Sequence, residues 1–444
     1  METKDEVQLV EESSSDALRP TLSSVTLDPA AEAAVRKKLD WRIMPIVVLI
    51  YLFAFIDRTN AGNARVLGMD EDLHLDGFRF NISLTAFYVP YILFEVPANM
   101  LCKAIGPKIW IPALTASFGI VVLCMSMVST YEAFIATRVV LGFTEAGMSK
   151  LGPPAHSAAS SPAPSPKSPW GPLHTWRNIF FFEGLLSLIL GLTAYFLLPD
   201  SPATAAFLSP NERALAAARI ADDLGNGGRI EGLEAKYVRR AVCNPNTALV
   251  ALASLCSLTS MNSMALFVPS ILRAMGHSGA RAQLLSAPPY AWAAVVCVSA
   301  SALSDRMRTR GFWVLAVMPF SVVGFGILAL ADPDRLGGAM GPGLRYFALF
   351  LCLTGVFTAS PVLLAWAVEN SAGHTTRAVV AASVVGFGST GGVVAAWTYL
   401  LPDAPGYIKG HVVNLASACV CIVAVVAAMW RLDKENQFRK AGDG

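Results

Sequence analysis

The run Ile43-Met44-Pro45-Ile46-Val47-Val48-Leu49-Ile50-Tyr51-Leu52-Phe53-Ala54-Phe55-Ile56-Asp57-Arg58 decides how this chain folds. Its first fourteen residues carry no charge, and an acid and a base follow at once. A helix rises about 1.5 Å per residue and a bilayer core is about 30 Å thick, so a span needs about twenty residues. From Arg42 to Ile56 there are only fifteen. The span must therefore continue to about residue 63, carrying Asp57, Arg58, Thr59 and Asn60 into the membrane. The segment 132–148 likewise reaches full length only with Arg138 and Glu145 inside it. One charge near the bilayer centre costs roughly 2.5–3.5 kcal/mol, so four cost on the order of 10 kcal/mol unless they pair or meet water. Such residues persist mainly where something charged binds or crosses. Two intramembrane arginines point to an anion.

Composition agrees with a polytopic, all-α membrane protein. Hydrophobic residues make up 54% against 15% charged, mean hydropathy is +0.51, and long charge-free runs recur. The net charge of +2 is uninformative, and no basic tract or zinc-like cluster points to a nucleic-acid partner. Eight cysteines are scattered without a C-x-x-C pair, which predicts reduced, buried thiols. Histidine is scarce and no nucleophile–base pair is visible, so an enzyme is not expected. No cofactor is expected either, a proton gradient being the driving force the acids would use. Residues 1–40 are polar and begin acidic, which predicts a disordered cytosolic tail with no secretory signal.

Eleven spans are expected, at about 42–63, 80–101, 109–128, 132–148, 178–198, 246–269, 283–304, 311–331, 346–368, 378–400 and 411–430. They divide into an N-terminal bundle at 41–198, a polar cytosolic connector at 199–245, a C-terminal bundle at 246–430 and a cytosolic tail at 431–444. The first bundle carries Asp57, Arg58, Glu95, Arg138, Glu145 and Glu183 at membrane depth, whereas the second carries no charge inside a span. Basic residues gather in the first tail, the 102–108 loop, the connector, the 305–310 loop and the last tail. By the positive-inside rule all five are cytosolic, so both termini face the cytosol. From the 102–108 loop to the connector the chain must then cross an even number of times, yet only three spans lie there. One crossing is missing. The gap coincides with 149–175, which holds seven prolines and six serines. Proline costs about 3 kcal/mol inside a helix, so no ordinary span forms there. A mis-spliced gene model, a degenerate copy and a re-entrant segment buried against protein each account for it.

Several motifs together resemble the major facilitator superfamily. They are Tyr51 to Ala64 (Tyr-Leu-Phe-Ala-Phe-Ile-Asp-Arg-Thr-Asn-Ala-Gly-Asn-Ala), Phe94-Glu95-Val96-Pro97-Ala98-Asn99, and Arg138 to Gly147. Later come Leu198-Pro199-Asp200-Ser201-Pro202, Ser304-Asp305-Arg306 and Ala404-Pro405-Gly406-Tyr407-Ile408. Within the superfamily the chain is most similar to the anion:cation symporter family and its fungal allantoate permease branch. The resemblance implies the major facilitator fold, two six-helix bundles rocking about a central site, here without a recognisable fifth span. It also implies a secondary transporter, a monomer in the plasma membrane, importing a small organic anion such as a ureido acid or a vitamin carboxylate with protons. A transport-dead or sensor-like derivative is the alternative.

Arg138 and Glu145 lie seven residues apart, about 10.5 Å along a helix and within roughly 20° of one face. A structural ion-pair network is the bland account of such charges. The resemblance instead assigns substrate binding to Arg58 and Arg138 and proton coupling to Asp57 and Glu145. It adds Tyr91 as a substrate contact, with Asn60 in the same motif as Arg58. Trp366 and Asn370 are expected as contacts from the second bundle, and Asp305 with Arg306 as a conformational latch. Glu95 reads as a helix-end contact. Glu183, one turn inside its span, reads as a residue reaching water.

Overall fold

The computed structural model describes residues 29–146, 175–199, 205, 207–223, 239, 243–331, 340–371 and 374–442, and every regular element among them is helical. The first half comprises α1 (Pro29–Ala64), α2 (Arg79–Ile105), α3 (Pro107–Ser126), α4 (Tyr131–Glu145) and α5 (Thr175–Leu197). A short connector helix, α6 (Pro210–Asp223), follows. The second half comprises α7 (Pro245–Ala274), α8 (Gly279–Met307), α9 (Arg310–Leu330), α10 (Met340–Glu369), α11 (His374–Ala396) and α12 (Ile408–Gly442). Among the described residues, nine of these helices are long and apolar enough to cross a membrane on that ground alone. The other two bundle helices, α2 and α4, fall short for separate reasons. Asn81, Glu95 and two prolines dilute the 27 residues of α2, and α4 is only 15 residues long.

Two ends of the bundle can be told apart. At the basic end lie the start of α1, with Arg36, Lys37 and Lys38, and the α8–α9 junction, with Arg306, Arg308 and Arg310. Opposite, at the far end, α4 and α5 both begin. The Tyr131 hydroxyl donates to the Arg79 carbonyl at 3.4 Å. The Trp176 indole donates to Asp72 at 2.7 Å, and Arg177 to the Val128 carbonyl at 3.0 Å. Two helices that are consecutive among the described residues thus start at the same end, which is the parity break expected from loop charge. Residues 147–174 between them, with almost all of the 149–175 segment, lie outside the described residues.

Three stretches expected to be tail or connector are helical. Helix α1 begins at Pro29, so 29–40 is an ordered extension and not part of a disordered tail. Val35 buries itself against Leu208, Leu215 and Ala216, and Lys38 binds Glu212 at 3.0 Å. The sequence Ser209-Pro210-Asn211-Glu212 is a capping box. Ser209 Oγ accepts from the Glu212 amide at 3.3 Å, and Glu212 accepts from the Ser209 amide at 2.7 Å. The Ser209 N–H and then Lys38 hold the Glu212 carboxyl below its usual range. At the other terminus α12 runs on to Gly442, and Asn246 donates to Glu435 at 3.3 Å.

The halves meet from the middle of the bundle to its far end. Phe55 of α1 packs edge-on to Phe357 of α10, with ring centroids 6.1 Å apart. Farther out Phe80 meets Phe267, Asn81 donates to the Ala396 carbonyl at 2.5 Å, and the Trp397 indole donates to Thr85 at 2.9 Å. Gly62 makes the tightest approach. A Cβ there would sit 2.0 Å from the Leu266 carbonyl oxygen, so α1 and α7 touch backbone to backbone. The second half also buries polar groups that the span boundaries did not anticipate. Arg345 is buried at the start of α10, and His411 and Asn414 of α12 both hydrogen-bond Tyr399.

Candidate functional site

Helix α1 is continuous through Asp57-Arg58-Thr59-Asn60, because no proline or glycine lies between Pro45 and Gly62. Neighbours in a helix point about 100° apart, so Asp57 and Arg58 leave the backbone toward different partners. Arg58 turns to α4, where its Nε donates to Glu145 Oε1 at 2.5 Å. Its guanidinium lies 4.6 Å above the ring of Tyr91 and 5.6 Å from that of Phe87, both on α2. A cation over an aromatic face gains about 0.5–2 kcal/mol, the larger figure when desolvated. Asp57 is fully buried and lies within electrostatic reach of Arg138.

The pairing is therefore crossed. Glu145 does not bond Arg138, its neighbour on the same helix face, because seven residues of rise separate them. Gly142, between the two, brings α4 against α2, since a Cβ there would lie 2.3 Å from the Phe87 carbonyl oxygen. That close approach sets Glu145 beside Arg58. Arg138 is 1% exposed, stands 5.2 Å from the Phe134 ring, and interacts electrostatically with Asp57, Glu145 and Glu183.

Glu183 belongs to this cluster. Helix α5 begins at Thr175, three residues before the expected span, so Glu183 sits about 12 Å along it and not one turn from its end. It is buried, and Asn60 Nδ2 donates to its Oε2 at 2.7 Å. Asn63 Nδ2 in turn donates to Asn60 Oδ1 at 3.1 Å. Three acids and two arginines thus share one interior site. Several of their buried polar atoms have no hydrogen-bond partner among the described residues: both Asp57 oxygens, Glu145 Oε2, Glu183 Oε1, and Nε and Nη2 of Arg138. Buried polar groups are normally satisfied, so orphans concentrated at one spot mark a place where a ligand, water or proton completes the structure.

The remaining residues fall elsewhere. Tyr91 is in the site, beneath Arg58. Trp366 on α10 and Asn370 just past its end lie nine and thirteen residues beyond Phe357, about 13 Å or more toward the basic end. There Trp366 packs into a core with Val314, Met318 and Val425, and Asn370 Nδ2 donates to the Trp366 carbonyl at 2.8 Å. They do not touch the cluster. The second-half residue that does reach toward it is Asn262 of α7, which accepts from the Tyr88 hydroxyl at 3.3 Å. Tyr88 passes against Gly392 of α11, whose Cβ would meet its ring at 2.2 Å. Neither Tyr88 nor Asn262 stands out by sequence; the only signal is the polar run Ser260-Met261-Asn262-Ser263 inside an apolar helix. In the expected latch, Asp305 binds Arg310 at 2.8 Å, and Arg310 also binds Glu369 at the end of α10. Arg306 is exposed beside it, so the ion-pairing base is Arg310.

The site is an interior cluster of three acids and two arginines in one half of a two-part helical bundle, and known proteins share the fold of that bundle. An uncharacterized transporter of Schizosaccharomyces pombe, C1002.16c, is 29% identical over 467 residues, covering 98% of this chain and 91% of that protein. The major facilitator-type transporter hxnP of Emericella nidulans is 28% identical over 452 residues, covering 95% and 90%. Among solved structures, a D-xylose-proton symporter superposes with a TM-score of 0.58 at 12% identity, over 87% of this chain and 97% of that one. An inward-facing bacterial homolog to the human lysosomal transporter Spinster superposes with a TM-score of 0.56 at 13% identity, over 87% and 96%. The family model described as Major Facilitator Superfamily matches residues 47–163 and 151–396, and this chain belongs to that superfamily.

Proposed function

We propose that the protein is a proton-coupled importer of a small organic anion, of the anion:cation symporter type and close to the allantoate permease branch. The observation that carries this reading is the buried cluster itself. Among the described residues Nε and Nη2 of Arg138 have no hydrogen-bond partner, in a setting where an arginine otherwise finds a carboxylate. A carboxylate substrate supplies that partner. In the empty carrier Glu145 is ionised against Arg58. An arriving anion competes for Arg58, and a Glu145 stripped of its cation takes up a proton. By linkage, protonation tightens anion binding by the same factor.

The inward proton gradient across a plasma membrane would drive import. With the basic end in the cytosol, the contacts between the halves lie from mid-bundle to the outer side. A cysteine placed at exposed Ala214 of α6, in a background without native cysteines, is then expected to resist an impermeant thiol reagent in intact cells and to react after permeabilisation. Labelling from outside would invert the topology and end the import reading. In this reading the membrane is the plasma membrane, both termini are cytosolic, and the monomer is the working unit.

The direct test is uptake by cells expressing the full chain, with a panel of radiolabelled ureido acids and pyridine carboxylates, at external pH of about 5 and about 7. At least one is expected to accumulate more at the lower pH and to leak out when a protonophore is added. One observation favours a second reading, transport-dead descent from such a carrier: five bundle helices described before the connector against six after it. Correct surface delivery with no pH-driven uptake of any member of the panel supports that second reading and rejects the first.

A further inference from the structure

With Arg58 satisfied by Glu145, the rest of the cluster does not balance. Arg138 carries one positive charge, whereas Asp57 and Glu183 would carry two negative ones. All three are buried, and Glu183 acts electrostatically on both Asp57 and Arg138. Other charged or titratable groups do not make up the difference. Helix α1 presents Arg58, already paired, and α4 presents Glu145, its partner. Of α2, Tyr88 and Tyr91 are neutral, Tyr88 donating to Asn262 and Tyr91 lying under Arg58, and buried Glu95 can add only negative charge. Helix α3 carries only Lys108, at the basic end. At the far end Arg65 pairs with Asp70, and Asp72 with Arg177. An uncompensated buried charge is far costlier than a neutral group in the same place. The hydrogen bonds tell the same story. Asn60 occupies one oxygen of Glu183, while the other and both oxygens of Asp57 lack a donor among the described residues. A carboxylic acid O–H is a donor that a carboxylate lacks.

We propose that Asp57 and Glu183 share one exchangeable proton held against Arg138, a second proton site beside Glu145. The proton comes from water when the site opens to one side and returns to water on the other, and no other bond is made or broken. Asn60, which donates to Glu183 from the turn after Asp57, positions the two acids. The consequence for transport rests on the importer reading above: a carrier loading protons at both sites moves more positive charge per anion than one loading Glu145 alone.

The test needs no substrate. Purified full-length protein is taken from about pH 8 to about pH 5.5, above the range of an exposed carboxylate. Two signals are read, protons consumed per molecule and the infrared C=O stretch of newly protonated buried carboxyls. Glu183→Gln leaves Asp57 and Arg138 as a neutral pair, and Asp57→Asn does the same for Glu183. Each variant is expected to consume about one proton fewer than wild type and to lose the same infrared band, while Glu145→Gln keeps that band, because in the empty carrier Glu145 stays ionised against Arg58. Unchanged proton uptake in Glu183→Gln would overturn the proposal, because Glu183 would then be permanently neutral or permanently charged. Should that variant fail to fold, Asp57→Asn decides from the other side, unchanged uptake again being the negative result. A lost proton in these variants with no pH-driven anion uptake in wild type would refute the importer reading and leave the proton site standing.

Discussion

Glu145→Gln is expected to abolish accumulation while leaving exchange. Each proton coupled converts one pH unit into about 1.4 kcal/mol, or about a tenfold concentration ratio. Glutamine has the shape and neutrality of the protonated acid, so the variant sits permanently in the state that follows proton uptake. It also releases Arg58, whose Nε donates to Glu145 at 2.5 Å, and an arginine without its carboxylate binds an anion more readily. Preloaded vesicles should therefore swap labelled for unlabelled anion at near wild-type rates. Under an inward pH gradient of two units the ratio that Glu145 drives, up to about a hundredfold, should collapse toward one. If Glu145→Gln still concentrates the anion as wild type does, the coupling acid lies elsewhere, with the Asp57–Glu183 pair next in line.

Arg138→Lys should fail for a reason of shape, not of charge. The variant keeps its positive charge among Asp57, Glu145 and Glu183, so the buried acids are not abandoned. What it loses is the planar fork, and the unpartnered atoms of Arg138 are two nitrogens of that fork, Nε and Nη2. A hydrogen bond to a charged group is worth about 1.5–3 kcal/mol, so apparent affinity should fall roughly ten- to a hundredfold at normal surface expression. Arg138→Ala is a different experiment. Removing one partner of a buried charged group costs about 3–5 kcal/mol, so that variant should lose stability as well as uptake. Near wild-type affinity in Arg138→Lys would mean that the fork does not touch the anion.

Much of this was legible in the residues. The shortage of apolar length before Asp57 and around Arg138 and Glu145 carries those charges into the membrane, and all of them are buried or half-buried at one interior site. The count of basic loops locates the parity break between α4 and α5, whereas in sequence α6 reads only as polar connector. Second-half contacts were less legible, because Trp366 and Asn370 resemble contact residues by type while their depth on α10 depends on how the halves lean. Glu183 was misread by a three-residue error in the start of α5, which is nearly a full turn of depth.

By itself, then, the sequence determines that this is a multi-span helical membrane protein whose first half holds the charges. Hydropathy and helix rise depend only on residue order, and charge at membrane depth follows from length. Which acid serves which base was decided by tertiary structure alone. Asp57 and Arg58 are adjacent in sequence but diverge by about 100°, and Arg138 and Glu145 share a face but stand about 10.5 Å apart. Neither neighbour can be the partner. Only the packing of α4 on α2, made close by Gly142, brings Glu145 to Arg58, and only the approach of α5 to α1 brings Glu183 to Asn60 and leaves Arg138 between two acids.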